Sequence, residues 1–225
     1  GRWATSRGLS RGEGHRAGIT SLREIITSCV RLGVEVLSAY AFSTENWSRP
    51  KAEVDLLMHL FAQTFIKELP LLEREQVRVV FLGDISALPA KTRDVFMYGL
   101  EQTKHHTGMV LALAVNYGGR AEIARAARLL AQDVQEGHLS PEDIDETAVA
   151  KKLYTADLPD PELVIRTSGE LRLSNYLLWQ VAYAEFYITT TYWPDFDRWG
   201  LIEAILAYQH RDRRFGGLSA KGAAQ

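Results

Sequence analysis

Arg166, Arg172 and Ser174 are the residues whose spacing first suggests chemistry. They fall in the segment Leu163-Val-Ile-Arg-Thr-Ser-Gly-Glu-Leu-Arg-Leu-Ser174. Residues 163–165 are apolar and read as a short buried strand. The strand stops at Arg166 and runs into a glycine-containing turn. Two guanidiniums and a hydroxyl therefore sit in a loop at a strand end, where open α/β sheets bind ligands. The rigid fork of an arginine suits a phosphate better than a lysine point charge does. Taken alone, the pair also fits surface arginines in ion pairs.

A second cluster lies in Tyr40-Ala-Phe-Ser-Thr-Glu-Asn-Trp-Ser-Arg-Pro50, after the apolar run 34–41. Ser43, Glu45, Asn46, Trp47 and Arg49 crowd one strand-to-helix loop, which Pro50 helps to end. The alternative is a helix cap, which would account for Ser48 and Glu53 but not for Asn46-Trp47 or Arg49. Asn116-Tyr-Gly-Gly-Arg120 forms a third cluster, which alone would pass for a glycine turn and helix start. His15 follows Arg11 and Gly14 and is expected to open a helix. A helix N-terminus beside arginines is an anion site, with helix capping as the plainer reading.

The intervening residues must position these clusters. Residues 1–14 read as a loop. Helical spacing marks 15–32, 53–75, 90–105, 119–136 and 197–208, with short helices at 140–145, 146–153 and 176–180. Strands are expected at 34–42, 77–82, 109–115, 163–165 and 185–189. Alternation of strands and helices predicts an α/β fold with a mostly parallel sheet covered by helices. No repeat or linker interrupts the chain, so residues 1–225 are expected to form a single domain. The carboxyl-end rule then gathers the three clusters at one rim.

The totals exclude several function classes. The 225 residues are 46% hydrophobic, enough for a sizeable core. With 26 Lys and Arg against 28 Asp and Glu, the net charge is −2, so general nucleic-acid binding is not indicated. Arginines gather locally instead, at 2, 7, 11 and 16 and at 211, 213 and 214, which suits a small anionic ligand. The one cysteine, Cys29, excludes an internal disulfide and a multi-cysteine zinc site, and it falls in a helical apolar pattern. No apolar run reaches the roughly 18 residues of a membrane span. Gly12-Glu-Gly-His-Arg-Ala17 matches a dinucleotide fingerprint, but no strand precedes it. Phosphate-loop, nucleophile-elbow and His-Glu-x-x-His patterns do not occur. The chain starts at Gly1 rather than at a methionine, so a longer natural N-terminus is expected, and a targeting segment there would go unseen.

Taken together and in order, these motifs resemble the cis-prenyltransferases, and most closely the bacterial undecaprenyl diphosphate synthases among them. The resemblance rests on Gly1-Arg2-Trp3, Gly14-His-Arg-Ala-Gly18, residues 40–50, 116–120 and 164–175, Leu178-Trp-Gln180, Trp193-Pro-Asp-Phe196 and Arg213-Arg-Phe-Gly-Gly217. It covers nearly the whole chain. It implies addition of isopentenyl diphosphate to an allylic diphosphate such as farnesyl diphosphate, with a cis double bond formed at each round, giving a long-chain polyprenyl diphosphate such as undecaprenyl diphosphate. Arg166, Arg172 and Ser174 would hold the isopentenyl diphosphate, with Arg214 and Gly216 reaching the partner subunit's site. Gly1, Arg2, Trp3, Arg11 and His15 would hold the allylic diphosphate. Asn46, with His15 and Ser43, would serve catalysis beside Glu45, Trp47 and Arg49. The product would grow into an apolar tunnel between the sheet and the helices at 53–75 and 90–105, past Ala41, Phe42, Leu111 and Leu113. A homodimer, a cytoplasmic location and peripheral contact with the membrane are also implied.

The resemblance further implies Mg²⁺, held by Glu185 and by an Asp in an Asp-Gly-Asn that the family places just before Gly1. That Asp and its strand are not in this sequence. A chain truly lacking the Asp is expected to be almost inactive. The rival reading, of another class, is a non-catalytic binding subunit that pairs with an active partner. Such subunits lose diphosphate-site residues, whereas this chain keeps Arg2, Arg11, Arg166, Arg172 and Ser174.

Overall fold

A computed structural model gives the structure of residues 1–211. Five strands form in it: β1 (Val36–Ser43), β2 (Arg78–Leu82), β3 (Val110–Tyr117), β4 (Leu163–Arg166) and β5 (Glu185–Ile188). The helices are α1 (Arg2–Thr5), α2 (Arg11–Leu32), α3 (Lys51–Arg74), α4 (Ala90–Thr103), α5 (Gly119–Gln135), α6 (Glu146–Ala150) and α7 (Arg198–Gln209). Every strand pairing is parallel. The result is the single-domain α/β architecture expected, a parallel sheet flanked by helices.

The hydrogen-bond ladder is divided into a three-stranded part, ordered β1-β3-β2, and a two-stranded part, β4-β5. The central strand β3 is almost wholly buried, while β1 and β4 are half-buried along most of their length. Between β1 and β4 lies a cavity of about 1460 Å³. Its lining takes in residues 33–41 and 158–168 without a gap, so it runs along both strand edges.

On one face the core joins Ile25, Ile26 and Cys29 of α2 to Leu57, Met58 and Phe65 of α3, Phe96 of α4 and Leu201 of α7. Leu111 and Leu113 of β3 face this side, as does Phe42. Ala112, Ala114 and Tyr117 face the other, against Leu177, Val181 and Tyr176. The space between α3, α4 and the sheet is filled. Phe81 stacks on Phe96 at 4.3 Å, and Phe65 meets both rings edge-on. At Gly99 an added Cβ would come within 2.0 Å of Phe65, so the helices touch there. The apolar tunnel expected in this place is not seen among the described residues. Leu111 and Phe42 are buried core residues and Leu113 packs against that core, whereas Ala41 borders the cavity beside β1.

Two compensating irregularities shape the carboxyl ends of β1 and β3. Tyr40 pairs with Ala114 but Phe42 pairs with Val115, so Ala41 is an extra residue on β1. Ser43 then pairs with Tyr117, so Asn116 is the extra residue on β3. A bulge reverses which side the following residues face. Tyr40 therefore packs with Tyr117 and Tyr176, while Phe42 turns to the opposite core.

Three expectations need correction. Residues 1–14 are not all loop: α1 occupies Arg2–Thr5, and α2 begins at Arg11 rather than at His15. Ser10 and Glu13 form a reciprocal capping box there, a signature present in the sequence. Residues 176–180 form no helix, because Ser174, Asn175 and Leu177 all have positive φ. Left-handed residues do not propagate a helix.

Gly83 makes the second bulge possible. Its φ is 118°, and a Cβ there would lie 2.2 Å from the Val115 carbonyl oxygen and 2.8 Å from that of Asn116. Backbone atoms cannot rotate away. Gly83→Ala is expected to cost about 3 kcal/mol or more, which would lower the melting temperature by roughly 6–12 °C in a domain of this size. Thermal unfolding followed by circular dichroism checks this, and an unchanged melting point would show that the β2 turn can move.

Candidate active site

Asn175 draws the loops after β1, β3 and β4 to one rim. Its backbone carbonyl accepts from the Gly119 N–H at 2.7 Å. Its side-chain oxygen accepts from the Arg120 N–H at 2.8 Å, and its amide nitrogen donates to Glu45 at 2.7 Å. That last bond, then backbone bonding within the loop, holds the Glu45 carboxyl below its usual value. A Cβ on Gly118 would sit 2.6 Å from Thr44 Oγ1 and 2.8 Å from Asn175 Nδ2, so glycine permits this closure. Asn175 is missing from the sequence-derived site. An asparagine able to adopt the left-handed region in a polar loop was the available signal.

The loop after β1 is a 3-10 turn, Thr44–Ser48. Asn46 Oδ1 accepts from the Ser43 N–H at 3.1 Å, which leaves its amide nitrogen for a ligand. Trp47 donates to Asn116 Oδ1 at 2.7 Å and meets Phe42 edge-on. Glu53 does not cap α3. It takes Arg11 at 2.6 Å and Arg49 at 3.2 Å, one on each oxygen. Burial pushes the Glu53 carboxyl up, but the Arg11 hydrogen bond and both arginine charges hold it below the ordinary value.

The loop after β4 contains a matching arrangement. Ser168 and Gly169 turn through positive φ, and their N–H groups donate to the Thr191 and Thr189 carbonyls, both at 2.8 Å. Glu170 follows. Its Oε1 forms an ion pair with Arg2 at 2.7 Å and its Oε2 another with Arg172. Arg166 donates to Ser174 Oγ at 3.3 Å, while its buried Nε has no partner among the described residues.

α1 packs against α2, with Trp3 bonded to Asp195 at 2.7 Å and Ala4 only 3.1 Å from where a Gly14 Cβ would be. This leaves His15 in the second turn of α2, half-buried, with no partner for Nε2 among the described residues. Desolvation lowers the His15 pKa most. Arg49 and Arg11 lower it further, and Glu53 opposes them.

The structure thus brings Gly1, Arg2, Trp3, His15, Ala41, Asn46, Arg49, Arg166 and Arg172 to the cavity wall. Arg11, Ser43, Glu45, Trp47 and Ser174 do not line it; Ser43 bonds Asn46, Ser174 accepts from Arg166, and Arg11 shares Glu53 with Arg49. The lining joins the cations Arg2, Arg49, Arg166 and Arg172 to the apolar Ile19, Leu22, Leu57, Leu60 and Phe61. Such a site can take a molecule with an anionic head and a hydrocarbon tail.

Glu185 is not brought to this rim. It opens β5 opposite Leu163, whereas the rim lies beyond Arg166 at the other strand end. Its carboxylate pairs with Arg211 at 2.6 Å. No group of three His, Cys, Asp or Glu able to hold a metal occurs among the described residues. The rim carboxylates Glu45, Glu53 and Glu170 are all engaged by protein donors. The residues present therefore do not make a Mg²⁺ site by themselves. Arg214 and Gly216 lie outside the described residues.

Comparison with known proteins decides the family. A sequence model described as "Putative undecaprenyl diphosphate synthase" matches residues 1–216. This chain belongs to that family of prenyltransferases. Isoprenyl transferase from Streptococcus thermophilus is 52% identical over 97% of this chain and 89% of its own length. The Geobacillus kaustophilus isoprenyl transferase is 51% identical over 98% and 86%. Among solved structures, lavandulyl diphosphate synthase from Lavandula x intermedia, in complex with dimethylallyl diphosphate, superposes with a TM-score of 0.93. It is 38% identical and covers 96% of this chain and 93% of its own. A "probable undecaprenyl diphosphate synthase" from Campylobacter jejuni gives a TM-score of 0.79 at 35% identity, covering 89% and 92%. The family is one of transferases acting on isoprenoid diphosphates. No helix long and apolar enough to cross a membrane occurs among the described residues.

His15 supplies a direct test of where the anion sits. Its lowered pKa reflects desolvation and neighbouring cations, so added negative charge must raise it. In an NMR titration the free protein should show His15 below its usual value of about 6.5. Inorganic diphosphate should move it upward. A His15 resonance indifferent to diphosphate would place the anion elsewhere.

Proposed function

We propose that this protein is a chain-elongating cis-prenyltransferase. It condenses isopentenyl diphosphate with an allylic diphosphate, farnesyl diphosphate being the expected primer, to a long-chain polyprenyl diphosphate of the undecaprenyl type. The observation that carries this reading is that Arg2, Arg49, Arg166 and Arg172 line one cavity together with many apolar side chains.

In each round the allylic C–O bond breaks and diphosphate departs with its electron pair. The isopentenyl double bond attacks the allylic carbon, and a proton then leaves the new chain. Arg166, Arg172 and Ser174 hold the isopentenyl diphosphate. Gly1, Arg2, Arg11 and His15 hold the allylic one, where cations stabilise the departing charge. Asn46 orients the isopentenyl group through its amide nitrogen. An amide is a poor base, so the leaving diphosphate is the better proton acceptor.

Mg²⁺ dependence rests on the family likeness alone, its main ligand being expected before Gly1. Homodimerisation draws support from Phe186 and Ile188, large apolar residues exposed on β5. Peripheral contact with a membrane follows from a product that is a lipid. The reading as a non-catalytic subunit is disfavoured, because the arginines it would have lost are present and converge.

Two experiments test the proposal. Full-length protein given both substrates and Mg²⁺ should release diphosphate and form polyprenyl product, and excess chelator should stop it. Asn46→Ala should lower kcat with little change in either KM. Product formation undiminished in chelator removes the metal, and no product at all removes the enzyme reading.

Product length is tested at Ala41. This bulge residue borders the cavity where the chain would pass toward Leu57, Leu60 and Phe61. The packed rings of Phe65, Phe81 and Phe96 fill the space between α3, α4 and the sheet and must shift for a long chain. Ala41→Leu is expected to shorten the products while early condensations continue. A product distribution unchanged in the folded variant would show that the chain takes another course.

A further inference from the structure

Glu170 is placed between two cations that the proposed reading assigns to different substrates. Arg2 belongs to the allylic diphosphate and Arg172 to the isopentenyl diphosphate. Each gives one terminal nitrogen to a separate oxygen of the same carboxylate. The Glu170 side chain is only 14% exposed, whereas Arg2 is 60% and Arg172 65% exposed. The carboxylate therefore lies beneath the two guanidiniums and does not cap them from solvent. Each guanidinium has five N–H donors, so one contact below leaves most of the fork free for a ligand above. An ordinary surface ion pair would expose both partners alike and involve one cation.

The geometry points to Glu170 as a shared positioning residue that anchors one arginine of each diphosphate subsite, and so orients both substrates through a single carboxylate. This deepens the proposed function and rests on its assignment of Arg2 and Arg172. Three features support it. The Ser168-Gly169 turn is tied to the Thr191 and Thr189 carbonyls, so the anchor is itself held. Arg2 and Arg172 both line the cavity, as Glu170 does. Finally, only a carboxylate can serve. Its two negative oxygens each face one arginine, whereas a neutral amide has one oxygen and turns an N–H₂ group toward the other guanidinium.

Steady-state kinetics of the full-length enzyme separate this from a merely structural role. Glu170→Gln should raise the KM for both substrates, each by about five- to thirtyfold, because oriented charge-assisted bonds are weakened in both subsites. Its kcat should stay within about threefold, since Glu170 touches neither reacting centre. Arg172→Ala alone should raise the isopentenyl diphosphate KM selectively. In the Arg172→Ala background, adding Glu170→Gln should raise the allylic KM by the same factor as before and leave the isopentenyl diphosphate KM where it was.

A rise confined to one substrate overturns the shared anchor while leaving the subsites assigned. An isopentenyl effect that adds in full to Arg172→Ala overturns it too. If Arg172→Ala leaves the isopentenyl diphosphate KM unmoved, the subsite assignment falls and this inference falls with it. Should Glu170→Gln lose its near-ultraviolet circular dichroism, Glu170→Asp replaces it. There the charge is kept but the reach is shorter, and both KM values must still rise.

Discussion

The site depends on a matched pair of backbone insertions. One residue too many on β1, at Ala41, is cancelled by one too many on β3, at Asn116. Without the first, Phe42 would point to the same side as Tyr40 and leave the main core. Without the second, the two strands would end out of step, and Asn116 could not receive Trp47 while donating to the Asp84 carbonyl. Regular pairing would extend the sheet into the rim. The double irregularity ends it there and lets two loops rise side by side.

Behind that rim the protein spends its polar burial on rigidity. Glu122 is almost fully buried on α5 and accepts from the Tyr117 hydroxyl at 2.5 Å, from Gln180 at 3.1 Å and from the Tyr154 N–H at 2.8 Å. These contacts bind the end of β3 to two loops that have no regular structure. Burial, then the hydrogen bond and charge of Glu122, push the Tyr117 hydroxyl far up, so it remains a donor at any working pH. A fully partnered polar group specifies one arrangement where apolar packing alone would tolerate several. The loop that carries Asn175 is thereby fixed without a helix.

Much of this was legible in the residues. The long helices and all five strands follow from apolar period, and the boundaries of β2, β4 and α4 shift by only a residue or two. The three polar clusters were visible because each follows an apolar run. What escaped were features that depend on partners far away in sequence. Glu53 and Glu170 look like ordinary acidic residues until folding sets each beneath two arginines. The turn at 174–177 has helical composition, and only its tertiary bonds impose the left-handed residues. The α2 start was missed although Ser10 and Glu13 spell a capping box, because the glycines around them suggested a loop. Glu185 illustrates the converse: a residue carried over by likeness sits at the far strand end, held by Arg211.

Cys29 is the only thiol in the chain and lies within the main core. Burial pushes its pKa up to about 11. At neutral pH roughly one molecule in ten thousand would carry the thiolate, and that fraction is shielded. For spectroscopy this amounts to a blank background. A cysteine introduced at exposed Leu171 would accept a spin label or fluorophore alone, with the native thiol left in place. The loop that presents Arg172 could then be followed directly as each diphosphate arrives.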